Sequence, residues 1–471
     1  MTTADVLSAA NRFGLGARPG ELMRIQTPQA WLLGQLEPHS LPDMLASLPT
    51  SLEYLREESG LQRRRAQARQ ARRTGGDGRV SAQALQQQNR RLYQQAQSRE
   101  LAARYAVAVD SERSFVERLV HFWSNHFAIS VDKRTAALYA APMEREAIRP
   151  HLTGRFGDML LAVETHPGML RYLDNVRSVG TGSPLAQRAR TRQPRRAPGL
   201  NENLAREILE LHTLGVAGGY TQTDVTELAL AITGWGVPRP QALEEGGGEA
   251  AFRFEPRAHE GGTRTLLGTR YAEGGLEQGQ RMLAALAVHP ATAQHVSWKL
   301  ARHLVSDTPP PALVDAMATT WTETGGELAA VYRTLVLHPA AWGVQARKFK
   351  TPNDFIVSAI RAGGALPRKQ PRALFNLLTR MGQPPFTPRS PAGFADEAAD
   401  WSGPDALWKR VQAAQALSET LPEQRIDPLA TAQIAFGGRL DIGTTDALRR
   451  AESARDGLAL LFASPAFQWR C

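Results

Sequence analysis

The sequence predicts a mainly α-helical protein, an irregular multi-helix array of packed helix pairs with one small β-hairpin excursion near residues 250–272. Three observations carry this. Apolar residues recur at three- and four-residue spacing through most of the 471 residues, the mark of helices with one buried face. Four apolar runs stop at a polar residue followed by proline, at His166-Pro167, His289-Pro290, His338-Pro339 and Ser464-Pro465. There the proline can open the next helix, and the polar residue reads as a cap. The helical pattern gives way to short alternation between 237 and 275, where AAFRFEPRAHEGGTRTLLGTRY reads as strands separated by turns.

In chain order, residues 4–36 read as two short helices broken at Gly14–Gly20, the second with Ala30, Trp31, Leu32, Leu33 and Leu36 on a broad apolar side. Residues 61–79 read as a mobile basic segment, after which Ser81 caps a long Gln-rich helix with Leu85, Leu92 and Ala96 inward. This suggests an N-terminal helical segment (1–60), a basic Gln/Arg-rich segment with the long helix (61–104) and a main helical domain (105–471). Residues 111–129 form an amphipathic helix with Phe115, Leu119 and Phe122 as its core stripe, continued by His126. Glu117, His121 and Asn125 take another face. His121 and His126 are five apart, about 140° around an α-helix, so they cannot share a metal as two histidines four apart do.

Residues 151–175 give a helix pair, and 176–200 a flexible basic loop rich in Gly, Pro and Ser. That loop leads into the densest polar stretch of the chain, NENLAREILELHTLGVAGGYTQTDVTELALAITGW. Asn201 suits an N-cap. Leu204, Ile208 and Leu211 make the buried stripe, and Gly215 is a helix stop. Thr221 with Asp224 forms a capping box for a second helix. Asn203, Glu207 and Glu210 share one flank of the first helix and could face a pocket, while Glu207 and His212 lie about 140° apart. Helices resume at Leu276. In TAQHVSWKLARHLVSD, His295, Lys299 and His303 fall on one face, with no carboxylate in the row. That reads as a basic exposed face or an anion contact. The stretch 381–404 is a proline-rich connector anchored by Phe386, Phe394 and Trp401.

The formal net charge is +10 with a hydrophobic content of 42%, which is that of a globular chain able to bury a large core. Arginines cluster in 63–99 and 177–196, an electrostatic footprint for an anionic partner, with Arg192, Arg195, Arg196 and Lys299 as the anion contacts. Only Tyr93 interleaves the first cluster, too few aromatics for the stacking platforms of nucleic-acid binding. The single cysteine, Cys471, excludes disulfides and cysteine metal sites within one chain. No run reaches membrane-span length, and no secretory signal is visible. The sequence as given therefore reads as cytoplasmic, or as exported with a partner. Neither GxGxxG after a strand, nor GxxxxGK[ST], nor GxSxG occurs in a fitting context, against a Rossmann oxidoreductase, a nucleotide-driven motor and an α/β-hydrolase.

The motifs NRFGLGARPGEL, HFWSNHF, NENLAREILELHTLGV with GGYTQTDV, H-x-x-G at His259–Gly262, HPATA with KLARHLVSD, and KFKTPNDF resemble the bacterial family catalogued as domain of unknown function 1800, over nearly the whole chain. The resemblance implies no reaction. It implies genes that neighbour a sulfatase-like family, catalogued as domain of unknown function 1501, and members that often carry an export signal.

Two functions of different class follow. One is a binding or assembly scaffold for an anionic polymer or a sulfatase-like partner protein. The other is an all-α enzyme with a pocket between helices 111–129 and 201–214. In it His121, His126, Asn203, Glu207, Glu210 and His259 would supply acid–base groups. His126, Glu207, His212 and His259 would be the candidate ligands for a metal, and a haem is the other cofactor that this reading admits.

Overall fold

The computed structural model describes residues 2–73, 78–192, 199–244, 250–343, 346–364, 371–421 and 427–470. The fold is mainly α, with three short antiparallel strand pairs among the described residues. The chain divides into two compact units, each assembled from separated stretches: 1–44, 101–126 and 293–471 in the first, 45–100 and 127–292 in the second.

The core of the first unit gathers Phe355, Ile356 and Ile360 of the helix Pro352–Gly363 with side chains from Pro404–Thr420, Pro428–Phe436 and Ala454–Ala463. Phe467 closes it, ringed by Phe355, Phe436 and Phe462 at 5.0–6.1 Å between centroids. Buried arginines tie distant backbone together. Arg361 donates to the carbonyls of Gly16, Ala108, Val109 and Ser111 as well as to Glu21. Arg12 reaches the carbonyls of Leu304 and Ala341. A guanidinium suits this work because its planar fork meets several carbonyls at once and so offsets its own desolvation.

The second unit packs the helix Phe156–Glu164 on Leu276–Ala287, and the pair Asn203–Glu207 and Gln222–Ala231 on each other. Its β excursion is a hairpin, Arg264–Leu266 with Thr269–Tyr271. Both turn residues take positive φ, Leu267 at 49° and Gly268 at 77°, the type I′ geometry that matches strand twist. The hairpin docks on Gln222–Ala231 through Leu267 N to Asp224 Oδ1 (2.7 Å) and Thr265 N to Glu227 Oε2 (3.0 Å). Trp235–Gly236 pairs with Arg253–Phe254. In the first unit Lys348–Phe349 pairs with Trp469–Arg470, a pair with no sequence signal.

The proline joints are caps. Nδ1 of His166, His289 and His338 accepts the backbone N–H two residues on, at 3.1–3.2 Å, and Ser464 Oγ accepts from Phe467 N. Thr221/Asp224 forms the expected capping box, and Thr351/Asp354 forms another.

Three local expectations are corrected. Residues 61–73 belong to the helix Ser51–Arg73, and the next helix begins at Gly78, so Ser81 lies inside it and is not its cap. Arginine and glutamine are good helix formers, which outweighs the low-complexity look of the segment. Within 176–200 the described residues hold a 3-10 turn at Asn175–Arg177 and a helix at Pro184–Arg192, opened by proline. Asn201 stands one residue outside the expected cap. The helix starts at Asn203, whose amide N–H the Asn201 side chain accepts at 2.9 Å.

Among the described residues, three helical runs pass into single π-helical turns, Ala9–Phe13, Glu144–Ile148 and Ile208–His212. Each presents a charged or imidazole side chain to the interior: Arg12, Glu144 with Arg145, and His212. A π turn shifts the face a helix presents and is frequent at functional sites.

Candidate functional site

In the second unit the π turn at 208–212 changes the geometry of the central stretch. In an α-helix Glu207 and His212 would diverge by about 140°. The i→i+5 turn brings residues five apart toward one side. The His212 imidazole is wholly buried and its Nδ1 lies 2.7 Å from Oε1 of Glu164, also wholly buried. Phe127 stands edge-on to it at 5.2 Å. Burial pushes the half-buried Glu207 carboxyl above the usual range, against the opposing pull of His212. Glu210 accepts from Tyr220 Oη at 3.2 Å, and Asn203 is exposed. Glu202 and Arg206 form an i, i+4 ion pair at 3.4 Å.

His259 lies elsewhere in this unit. Its ring is buried edge-on against Phe254, with Nδ1 3.1 Å from Thr233 O and Nε2 3.8 Å from Glu273 Oε1. The hairpin that follows it packs on the second helix of the central stretch, Gln222–Ala231.

A Ser–His–Glu grouping also lies here. Ser51 Oγ and Glu146 Oε2 stand 2.9 and 3.1 Å from His166 Nε2. It is not a nucleophile triad. His166 Nδ1 accepts the N–H of Gly168, so the ring proton sits on Nε2 and is donated. Ser51 is an acceptor here, whereas an activated nucleophile must give its proton to the imidazole.

The second unit also carries an open cavity of about 400 Å3, within the range of ligand sites. Glu58 lies at its base and accepts from Tyr93 Oη (2.6 Å), Tyr139 Oη (2.5 Å) and Arg171 Nη1 (2.6 Å). Burial and the facing Glu58 carboxylate push both phenols well above their ordinary values, though for Tyr139 the Arg171 guanidinium pulls the other way. Arg134 stacks over the Tyr93 ring at 5.1 Å. The Asn89 amide, turned with its oxygen toward the arginines, accepts from Arg134 and from Arg65. Arg177 completes a wall of four guanidiniums facing two carboxylates, Glu58 and Asp174, and Asp174 is ion-paired with Lys133 at 2.5 Å. Sequence reasoning did not find this cavity. Its residues come from five separated stretches, and only the arginine cluster beginning at 63 pointed toward it.

In the first unit the helix Ser114–His126 is buried on several sides. Trp123 Nε1 donates to Tyr332 Oη at 2.6 Å, and His126 stacks on Phe122 at 6.0 Å. His121 Nδ1 is 3.3 Å from the Asn353 amide. Asn125 pairs in both directions with the backbone of Phe394, at 2.8 and 2.9 Å, which fixes the connector that carries Asp396.

The row His295, Lys299, His303 is not a plain exposed basic face, because the connector supplies the carboxylate that the helix lacks. Asp396 Oδ2 lies 3.1 Å from His303 Nδ1, and Phe122 lies 5.4 Å from the imidazole. His303 Nε2 has no hydrogen-bond partner. Burial pushes this imidazole below its ordinary value, against the pull of Asp396. Burial opposes ionisation of Asp396, yet His303, Lys348 and Arg470 hold it down to about 2. Lys348 bonds to Asp307 and to the Asp396 carbonyl. Lys299, one turn before His303, is pushed down to about 8 by burial and the neighbouring Arg302. The sequence signal for Asp396 was the acidic run ADEAAD in an otherwise proline-rich connector.

Among the described residues no three His, Cys, Asp or Glu side chains are grouped to hold a metal ion. The candidate ligands His126, Glu207, His212 and His259 therefore form no such group: His126 meets Phe122 and Trp123, His212 meets Phe127 and Glu164, and His259 meets Phe254 and the Thr233 carbonyl. Of the anion-contact arginines, Arg195 and Arg196 lie outside the described residues, as does the side chain of Arg192, which ends the helix Pro184–Arg192. No helix among the described residues is long and apolar enough to cross a membrane.

The fold and these clusters define a mainly α-helical protein with buried His–carboxylate pairs and an arginine-lined cavity. The chain belongs to the family described as "Protein of unknown function (DUF1800)", whose model matches residues 8–469. No curated protein and no solved structure matches it.

Proposed function

We propose that the protein is a binding scaffold for an anionic polymer, gripped at the arginine-lined cavity of the second unit. The observation that carries this reading is an imbalance of charge in the cavity wall. Glu58 is occupied by two phenols and Arg171, and Asp174 by Lys133. Arg65, Arg134 and Arg177 therefore face the opening with no carboxylate of their own among the described residues. Guanidiniums that are stacked and pre-positioned suit sulfate or carboxylate groups, which they bind in a bidentate way.

A polymer fits better than a small ion because the basic surface continues. Arg65, Arg69 and Arg73 recur at i, i+4, i+8 along the helix Ser51–Arg73, about 6 Å apart, and lead away from the cavity. The sulfatase-like partner implied by the family resemblance accords with this ligand class, since a polymer that bears many sulfate esters is a polyanion.

The test is a titration with a sulfated polysaccharide, a carboxylated one and neutral dextran, at low and moderate salt, using the full chain and Arg65→Ala/Arg134→Ala. The expected result is salt-sensitive binding of the charged polymers, weakened at least about 10-fold in the variant, in keeping with screening of exposed charges. Equal binding of dextran, or an unchanged affinity in the variant, would overturn the proposal.

A further inference from the structure

We propose a second site, in the first unit: Lys299 is a nucleophilic amine that forms an imine with small carbonyl compounds, and His303, oriented by Asp396, is the proton acceptor beside it. Three independent observations carry this.

The first is how the chain uses lysine. Of its 56 basic residues only six are lysines. On the surfaces of its helices it uses arginine far more often than lysine, with Lys409, paired to Asp405, an exception. Lys299, Lys348 and Lys350 nevertheless fall within the first unit at positions that are buried or partly so. Arginine keeps its proton under all ordinary conditions, whereas lysine can lose it when desolvated. Lys348 is held by Asp307 and Asp396, and Lys350 sits over the Phe467 ring at 3.6 Å. Those two have structural work. Lys299 makes no hydrogen bond or ion pair among the described residues.

The second is the His303–Asp396 geometry. Asp396 fixes the Nδ1–H tautomer at 3.1 Å, which leaves the lone pair on Nε2. This is the base–orienter arrangement of acid–base sites. Lys299 and His303 are four apart on the helix Pro290–Leu304, so their side chains stand on one face.

The third is the surroundings of Lys299. Burial and the neighbouring Arg302 both favour the free amine and push it down to about 8, the two means by which a lysine is made nucleophilic. The free-amine fraction at pH 7 is then on the order of 100-fold that of an ordinary lysine. Arg302 stacks over the exposed Trp298 at 4.4 Å and pairs with Glu397 at 2.9 Å, which forms a rim beside the amine. The other charges facing the pair include Asp396, which pulls the Lys299 amine the opposite way, and Lys348, Arg470, Arg118 and Asp354.

The step balances without a cofactor. The Lys299 amine adds to the carbonyl carbon, a C–N bond forms as the C=O π pair moves to oxygen, and one ammonium proton passes by way of His303 Nε2 to that oxygen, giving a neutral carbinolamine. The nitrogen lone pair then forms the C=N bond as the C–O bond breaks, the departing hydroxyl takes a proton from solvent and leaves as water, and the iminium N–H proton passes by way of His303 Nε2 to solvent, so that an imine remains.

The test is trapping with glycolaldehyde as the carbonyl compound and borohydride as the reductant that fixes the imine, followed by peptide mapping. Lys133 and Lys409, both ion-paired near the surface, serve as internal controls. Lys299 should label at least 10-fold faster than either at pH 7, with a midpoint near pH 8. His303→Gln should slow labelling of Lys299 several-fold and leave Lys133 and Lys409 unchanged, and the near-ultraviolet circular dichroism of the variant reports that it is folded. Labelling of Lys299 at or below the rate of the controls overturns the site. Fast labelling that is indifferent to His303→Gln in a folded variant overturns the pairing. Neither result bears on polymer binding, which is read in the other unit.

Discussion

Glu164 Oε1 and His212 Nδ1 meet at 2.7 Å with both side chains wholly removed from solvent. Glu164 ends the helix Phe156–Glu164, and His212 ends the π turn 48 residues later. The pair joins two of the apolar elements of the second unit. His212→Ala would leave a buried carboxyl without its donor and open a cavity beside Phe127. The expected loss is about 2–4 kcal/mol, read by urea denaturation. A loss under about 0.5 kcal/mol would show that the contact is not a stability determinant.

The histidine caps make a second prediction. His289→Ala and His338→Ala should each cost about 1 kcal/mol. The two sites share no partner, so the double variant should show a near-additive loss. Aspartate at either position, which also offers an acceptor to the first turn, should restore most of it. If alanine and aspartate behave alike in thermal melts, the imidazoles are not acting as caps.

Asp354 sits between two guanidiniums, 2.9 Å from Arg118 Nη1 and 3.5 Å from Arg470 Nε. Burial opposes its ionisation, but the two arginines outweigh burial and hold the carboxyl well below the usual range. A carboxyl depressed on folding stabilises above its unfolded value, near pH 4, and that contribution is lost as pH falls through the folded value. Asp354→Asn should therefore cost about 3–5 kcal/mol at neutral pH, because it leaves buried cations uncompensated. The gap between variant and parent should narrow only below about pH 4. A gap that is small at pH 7, or that closes already by pH 5, contradicts this account.

Lys299 makes a prediction of opposite sign. Its amine holds a proton less readily in the folded chain, at about 8, than in the unfolded one. Between that value and the ordinary lysine value near 10.4 the unfolded chain binds more protons, so stability rises with pH there. Below pH 8 the charged amine is a standing penalty. Lys299→Met should stabilise by about 1–3 kcal/mol at pH 7, with the gain fading above pH 8 and gone near pH 10. Scanning fluorimetry across that range checks it, and a destabilised variant at pH 7 would count against an isolated amine. Such a gain is the usual trade of stability against a reactive site.

What the sequence determined by itself lies within a turn or two of each residue. Thr221 with Asp224, the imidazoles before Pro167, Pro290 and Pro339, and the hairpin at Leu267-Gly268 follow from local backbone chemistry, and apolar spacing is enough to predict the helices. Three features depended on tertiary structure. The π turn at 208–212 has no periodic signature, because one widened turn is stabilised by what its side chain meets, here Glu164. The carboxylate for His303 comes from 93 residues downstream and the arginine for Glu58 from 113. Burial decides the charge state of Lys299, and two identical lysines differ only in what packs around them. Periodicity reports which face of a helix is apolar. Which distant charge arrives on the other face is set by packing, since that pairing is stabilised only once the intervening chain has already folded.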